Sequence, residues 1–417
     1  MKDRRVVTDI PLVAVALLLT AFGIAMVYSA GQTDAPTVAA GLYKRQLVWF
    51  GIALIGAYVV SRASMRLVEW MTLPLYLVTL TMLGVTLLIG TGAGTAEGMK
   101  GWLTIGGVRL GQPAELAKIA VVLMLARVLA ARREAPKSLL DLWKPALVVA
   151  MPWLLVMAQP DLGTAIVFIG IFFTMLYWAG VSAPLLMLVA SPAVSLLLTP
   201  STGLWGAWFL LLIALVLWYK PYLIEGIVLI SANIFTGVAA PLIWERLAPY
   251  QRNRLLVFLD PSIDPRASGW HVIQSQVAIG SGGWFGKGYL MGTQKRLAFL
   301  PAQHTDFIFS VVGEELGFIG VSVALGLFAY LFLRIVKLAS GANDAFSSMV
   351  AFGLLGSWLV HVIVNVGMTL NLMPITGIPL PFFSYGGSFL LASWLAVGLL
   401  IRIASEGRSG RLGGLSI

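Results

Sequence analysis

The sequence predicts an all-α polytopic membrane protein with about 12 transmembrane helices and one large extracytoplasmic loop. Of the 417 residues, 59% are hydrophobic and only 11% are charged, whereas a soluble chain carries about a quarter charged residues. The apolar residues gather in runs close to the roughly 20 that cross a bilayer as a helix. Such runs far exceed a barrel strand, and lipid supplies no water for unpaired backbone groups, so helices are the structure that fits.

The runs lie at 10–30, 46–61, 70–90, 114–131, 143–158, 163–180, 183–199, 205–219, 222–243, 308–335, 347–370 and 387–404. The first follows a basic start (Lys2, Arg4, Arg5) and exceeds a signal-peptide core of about 7–15 residues, so it reads as a retained span. The run at 205–219 is short and rich in Gly and Trp. An even count returns both termini to one side. Short-loop charge makes that side cytoplasmic: it collects the Lys and Arg residues at 2–5, 62–66, 132–144, 220, 334–337 and 402–411, against Lys44, Arg45, Lys100 and Arg109 outside. The net charge of +10 then reflects cations facing anionic membrane lipids, not nucleic acid. There is no cysteine, which removes disulfides, thiolate nucleophiles and Cys-based metal sites.

Segment 244–307 falls outside. Up to the glutamine-histidine turn it carries Arg246, Arg252, Arg254, Arg266, Lys287, Lys295 and Arg296 against Glu245, Asp260 and Asp264. Long translocated loops escape the charge rule, and a basic outer loop suits an anionic substrate. Leu255–Leu259 reads as a short apolar turn, and Asp260-Pro261 and Asp264-Pro265 as turns. Trp270–Ile279 reads as an amphipathic helix. The glycines between Gly280 and Gly288 allow tight bends. The stretch Met373–Pro381 is too broken for a helix and reads as a re-entrant or packed loop, since irregular backbone at membrane depth must be buried in protein or line a cavity.

Asp306 is the foremost candidate for chemistry. It stands where the loop re-enters the membrane, a costly place for a carboxylate and a functional one by default. Partial desolvation would raise its pKa toward that of a useful general base. The alternative, a helix N-cap at Thr305 or Asp306, stays open on the residues alone. His304 reads as a hydrogen-bonding neighbour, because three histidines without ligand spacing make a zinc site a poor fit. Glu314 and Glu315 read as structural polar pairing, with pairing of one of them to a loop arginine as the alternative. Glu115 and Lys118, at i,i+3, share a helix face. They read as mutual neutralisation, with positioning of a substrate pyrophosphate by Lys118 as the functional alternative. Asp161 reads as an N-cap and Glu225 as interfacial. The run Gly280-Ser281-Gly282-Gly283-Trp284-Phe285-Gly286-Lys287-Gly288 fails as a P-loop, with Ser281 and Gly288 at positions that need Gly and Ser or Thr. Its N–H groups and Lys287 can still meet a phosphate.

These runs carry a resemblance: Lys100-Gly101-Trp102, Gln112 to Lys118, Gln159-Pro160-Asp161-Leu162-Gly163-Thr164, nearly all of Tyr250 to Gly320, Asn365-Val366-Gly367-Met368, and Thr376 to Pro381 with Ser384 to Ser388. The chain resembles the SEDS family (shape, elongation, division and sporulation proteins). Gly292-Thr293-Gln294 and Gly269 to Ser275 look like its elongation branch. The resemblance implies a ten-span core, so this chain inserts a pair near 183–219. It implies a peptidoglycan glycosyltransferase of the bacterial cytoplasmic membrane that polymerises lipid II, an undecaprenyl-pyrophosphate disaccharide pentapeptide. The implied partner is a class B penicillin-binding protein, a transpeptidase. Asp306 matches the family's essential loop aspartate, Glu115 and Lys118 its fourth-span pair, and Trp102 a functional tryptophan. Arg252, Arg254, Lys287 or Arg296, with or without a divalent cation (magnesium or manganese), would offset pyrophosphate charge; no protein metal ligands are assigned. The rival readings are a lipid-linked oligosaccharide flippase and a scaffold without chemistry of its own.

Overall fold

A computed structural model describes residues 9–34, 37–92, 100–105, 108–247, 249–260, 268–300 and 302–413. Lys2, Arg4, Arg5, Pro261, Asp264, Pro265 and Arg266 lie outside the described residues, as do the side chains of Arg109, Arg408 and Arg411. The chain runs through α1 (Ile10–Ala30), α2 (Leu42–Arg62) and α3 (Met65–Ile89) to an antiparallel hairpin of β1 (Leu103–Ile105) and β2 (Val108–Gly111). Next come α4 (Pro113–Ala130), a 3-10 turn (Leu140–Leu142), α5 (Trp143–Ala158), α6 (Leu162–Trp178), α7 (Ala183–Leu198), α8 (Thr202–Tyr219) and α9 (Leu223–Arg246). The loop region holds α10 (Pro249–Leu259), α11 (Ser268–Gly282) and the short α12 (Thr293–Arg296). The chain closes with α13 (Ile308–Ser340), α14 (Ala345–Thr369) and α15 (Gly387–Gly413).

This is a helical, multi-pass membrane architecture. Among the described helices, eight are long and apolar enough to cross a bilayer: α1, α3, α5 with its leading turn, α8, α9, α13, α14 and α15. Two more, α6 and α7, are shorter apolar helices. Charge sets α2 and α4 apart, through Lys44, Arg45 and Arg62 in one and Glu115, Lys118 and Arg127 in the other. Side-chain caps begin several helices: Asp9 for α1, Ser64 for α3, Asp161 for α6, Ser201 for α8 and Asp344 for α14. Each satisfies a backbone N–H that the first turn leaves open.

Three local expectations need correction. Leu255–Leu259 is no isolated turn but the last part of α10, where Arg252 and Arg254 already belong to the helix. Glu225 is buried rather than interfacial: its carboxylate accepts the Leu140 N–H at 3.3 Å and so ties α9 to the 3-10 turn. The β1–β2 hairpin was not foreseen, because three and four residues are too few to display a period of two.

The span α13 is the most unusual. Gly317 breaks α13 with φ 64° and ψ −161°, a backbone that only glycine adopts at little cost. A break inside lipid would strand backbone groups. Here the glycine run at 280–288 satisfies them. The Lys287 and Gly288 N–H groups donate to the Glu314 and Glu315 carbonyls, both at 3.0 Å, and the Phe318 and Ile319 N–H groups donate to the Gly283 and Trp284 carbonyls. At one end of the bundle the start of α1 meets the end of α13, where Arg334 forks onto Asp9 at 2.7 and 3.0 Å. The start of α3 meets α15 there as well, the Met65 N–H donating to Glu406. The opposite end gathers Asp306, Asp161 and the stretch 370–386.

Candidate active site

Asp306 lies on the turn just before α13. It does not cap that helix: the N-cap is Phe307, with no side-chain cap bond. The capping alternative is thereby removed. The carboxylate is half-buried, and burial pushes its pKa up to about 6; Arg254 and the Thr305 hydroxyl pull the other way, and Asp161 adds to the rise. Gly377, at φ 75°, lies opposite. A Cβ built there would stand 3.4 Å from the Asp306 carboxylate and 3.9 Å from both terminal nitrogens of Arg254. A carboxylate and a guanidinium therefore converge on one bare Cα, leaving room that any larger residue would fill. The Arg254 guanidinium also donates to the Thr376 carbonyl at 3.3 Å.

Three backbone contacts hold the Asp306 turn. The Asn365 amide donates to the Asp306 carbonyl at 2.9 Å and to the Ile378 carbonyl at 2.8 Å. The Ser384 hydroxyl donates to the Thr305 carbonyl at 2.7 Å, and the Tyr385 N–H to the His304 carbonyl at 2.9 Å. The His304 ring leans on Tyr385, and burial lowers its pKa. Gln46 of α2 fixes the far side, donating to the Ser384 carbonyl and accepting from the Gly386 N–H.

Behind this turn sits the α4 pair. Lys118 meets Glu115 at 2.8 Å, both almost wholly buried. The Lys118 ammonium also donates to His361 Nε2 at 2.8 Å, and His361 Nδ1 donates to the Pro379 carbonyl at 2.9 Å. An imidazole that accepts at one nitrogen and donates at the other is neutral, so the bonds fix its tautomer. The cavity beside the pair, lined by Glu115, Lys118, Trp358, Phe389 and Ser393, measures about 20 Å³, space for one water and none for a pyrophosphate. Asp161 caps α6 through Thr164 and accepts from Gln112 at 3.1 Å, which links the start of α4 to the start of α6.

The structure gathers some of the expected residues and disperses others. Of the four loop cations, Arg254 alone stands against Asp306. Lys287 is held by Glu314 at 2.8 Å, Arg296 by Asp34 at 2.9 Å, and Arg252 donates to the Glu245 carbonyl. Glu314 also accepts from Thr293 and the Gln294 N–H, as structural polar pairing would have it. Trp102 bridges to Thr91 beside the hairpin. Among the described residues no three His, Asp or Glu side chains stand close enough to hold a metal ion. Sequence reasoning missed His361 and Gln46, and it met Asn365 and Ser384 only within the runs that carry the resemblance, without giving them a role. His361 and Asn365 lie together on α14, at i,i+4 on one face of an apolar helix, a spacing that marks neighbouring polar groups.

The comparisons agree with this architecture. The family model described as cell cycle protein, covering FtsW, RodA and SpoVE, matches residues 10–201 and 182–409. Among curated relatives, peptidoglycan glycosyltransferase RodA of Treponema pallidum is 36% identical, covering 95% of this chain and 97% of its own. Probable peptidoglycan glycosyltransferase FtsW of Trichlorobacter lovleyi is 35% identical, covering 95% and 93%. A solved chain from a study of how a peptidoglycan synthase complex coordinates polymerization and crosslinking superposes with a TM-score of 0.69 at 30% identity, covering 95% of this chain and 97% of that one. The chain belongs to the SEDS family of FtsW, RodA and SpoVE proteins, polytopic membrane peptidoglycan glycosyltransferases.

Proposed function

We propose that this chain polymerises lipid II into β-1,4 glycan strands during cell elongation, with Asp306 as general base. The observation that carries the reading is a half-buried carboxylate that faces the Arg254 guanidinium across Gly377, with burial pushing its pKa up to about 6. The acceptor sugar's 4-hydroxyl oxygen bonds to the donor's anomeric carbon while the bond from that carbon to the lipid pyrophosphate breaks. The pyrophosphate leaves with the electron pair, and the hydroxyl proton passes to Asp306. Displacement from the opposite face converts the α-linked donor to a β linkage. Arg254 supplies the positive charge nearest the reacting groups. Lys287 and Arg296 are committed to carboxylates, and the Lys118 cavity is too small for the leaving group, so all three lie outside this proposed set.

In the same reading all 12 apolar helices span the inner membrane, with both termini cytoplasmic and 244–307 outside. The segments Gly269 to Ser275 and Gly292-Thr293-Gln294 support the elongation branch, and a class B penicillin-binding protein is the crosslinking partner. Restoring rod shape to cells depleted of their own elongation enzyme tests the branch. The activity is tested with purified protein in detergent, given lipid II and no bilayer. Asp306→Ala and Asp306→Asn should fold normally and lose about 10²–10⁴-fold in polymerisation rate. Undiminished glycan from either variant removes Asp306 from the mechanism. A wild type that makes no glycan there turns the reading toward a flippase or a scaffold.

A further inference from the structure

We propose that His361 is a positioning residue that couples the buried Glu115–Lys118 pair to the 376–381 loop and so sets the face that loop presents to Asp306. The proposal rests on Asp306 as base. His361 bonds on both sides: Lys118 on α4 at one nitrogen and the Pro379 carbonyl at the other. One turn further along α14, Asn365 bonds the adjoining Ile378 carbonyl and the Asp306 carbonyl itself. The side chains at i and i+4 therefore grip consecutive carbonyls of the loop, and Gly377, the residue before them, is the one facing Asp306 and Arg254. The cavity beside Lys118, about 20 Å³, holds a water and no lipid-borne substrate. The remaining route from Lys118 to the chemistry is through His361. This accounts for an almost wholly buried ion pair on α4 that the mechanism itself does not use.

The two arms can be cut separately. A Gln side chain places its polar end where Nε2 stands, and an Asn side chain places its own where Nδ1 stands. His361→Gln thus keeps the Lys118 contact and loses the loop contact, while His361→Asn does the reverse. His361→Phe loses both but keeps the ring that stacks on Phe389 at 4.7 Å. In the detergent assay all three should lower kcat by about 10- to 100-fold, the cost of roughly 1 Å of misplacement, with KM for lipid II little changed. The two single-arm variants should lose as much as His361→Phe, because a link cut at either end no longer couples.

A role in packing alone predicts unequal losses instead, with His361→Phe the most active. The pH profile is a second readout. The charged groups facing Asp306 are Arg254 from α10 and Asp161 from the start of α6; Lys118 and Glu115 lie behind them. None of these charges is altered by the substitutions. A freed loop admits water to the carboxylate, so the acid limb near pH 6 should move to lower pH in His361→Gln and His361→Phe. Melting temperature in detergent identifies any variant that has merely unfolded; for such a variant, the loss must appear in the remaining two. Near-wild-type kcat together with an unmoved acid limb overturns the proposal. Asp306→Asn assayed alongside separates the failures: if it stays active, the base reading falls, and if it is dead while the His361 variants are normal, only the coupling falls.

Discussion

A carboxylate serves as a base near neutral pH only when its surroundings have made its charge costly, and Asp306 meets that condition through burial. Catalysis needs the ionised form. We therefore expect kcat/KM to fall about tenfold per pH unit below about 6 and to level off above it. Arg254 opposes the rise, so Arg254→Ala should move the acid limb to higher pH and lower the plateau, whereas Arg254→Lys should hold the limb in place. A pH–rate series on the three proteins checks this, and an unmoved limb in Arg254→Ala would contradict the assigned pairing. The same shift acts on stability. A pKa raised in the folded state favours folding below the ordinary carboxylate range, and that contribution disappears as pH rises through about 6. At pH 7 Asp306→Asn should consequently melt no lower than the wild type, which makes its lost activity a matter of chemistry rather than folding. Asp306 was legible in the sequence because an acid at a membrane boundary stands out. His361 was not, because a single histidine in an apolar helix reads as core until its two partners, far along the chain, are placed beside it.

Broken helices need their loose ends tied, and α13 is tied twice. The glycine run supplies backbone partners across Gly317, and a buried ion pair locks the same region to α1. Lys295 meets Glu315 at 2.6 Å with both side chains fully buried. Ser29 donates to Glu315 at 2.6 Å and accepts from Lys295 through its carbonyl at 2.9 Å. Removing one partner strands a charge, so Glu315→Leu or Lys295→Met alone should cost about 3–5 kcal/mol. The double variant, which leaves neither charge, should recover much of that loss. Thermal melts of the four proteins in one detergent form the cycle, and purely additive losses would contradict a mutual pairing. The run at 280–288 announced bends, and Glu314 and Glu315 announced pairing. Of their partners, Ser29 was hidden, since it lies 286 positions away in the chain. The span at 308–335 was visible from hydropathy, but its break was not, because Gly317 resembles the other glycines of a membrane helix until the run of glycines packs against it.

At the scale of the whole molecule, α7, α8 and α9 form a satellite beside the main bundle. Their small apolar cluster of Leu188, Leu212 and Leu229 is distinct from the main core of α1–α6 with α13–α15, which reaches the trio through Leu185 of α7. A buried polar knot binds the three: Ser195 donates to Asn233 at 2.6 Å, Asn233 donates to Ser191 at 2.8 Å, and Trp208 donates to Ser195 at 3.1 Å. In lipid, where apolar contact alone does not drive helices together, such bonds hold an assembly at about 0.6 kcal/mol each. The satellite is anchored near the 3-10 turn, where Tyr219 donates to the Lys137 carbonyl and Glu225 accepts from Leu140. None of these residues touches Asp306, Arg254 or the 376–381 loop. Asn233→Leu should therefore loosen the trio, lowering the melting temperature or making α8 more open to protease, while leaving the polymerisation rate within about twofold, as distant independent sites do. The alternative is mechanical: α9 ends at Arg246 and α10, which carries Arg254, begins at Pro249. If Asn233→Leu lowers kcat by tenfold or more while Glu225→Gln, at the far end of α9, does not, then motion of α9 reaches the guanidinium through that short connection, and the α7–α9 satellite belongs to the catalytic apparatus.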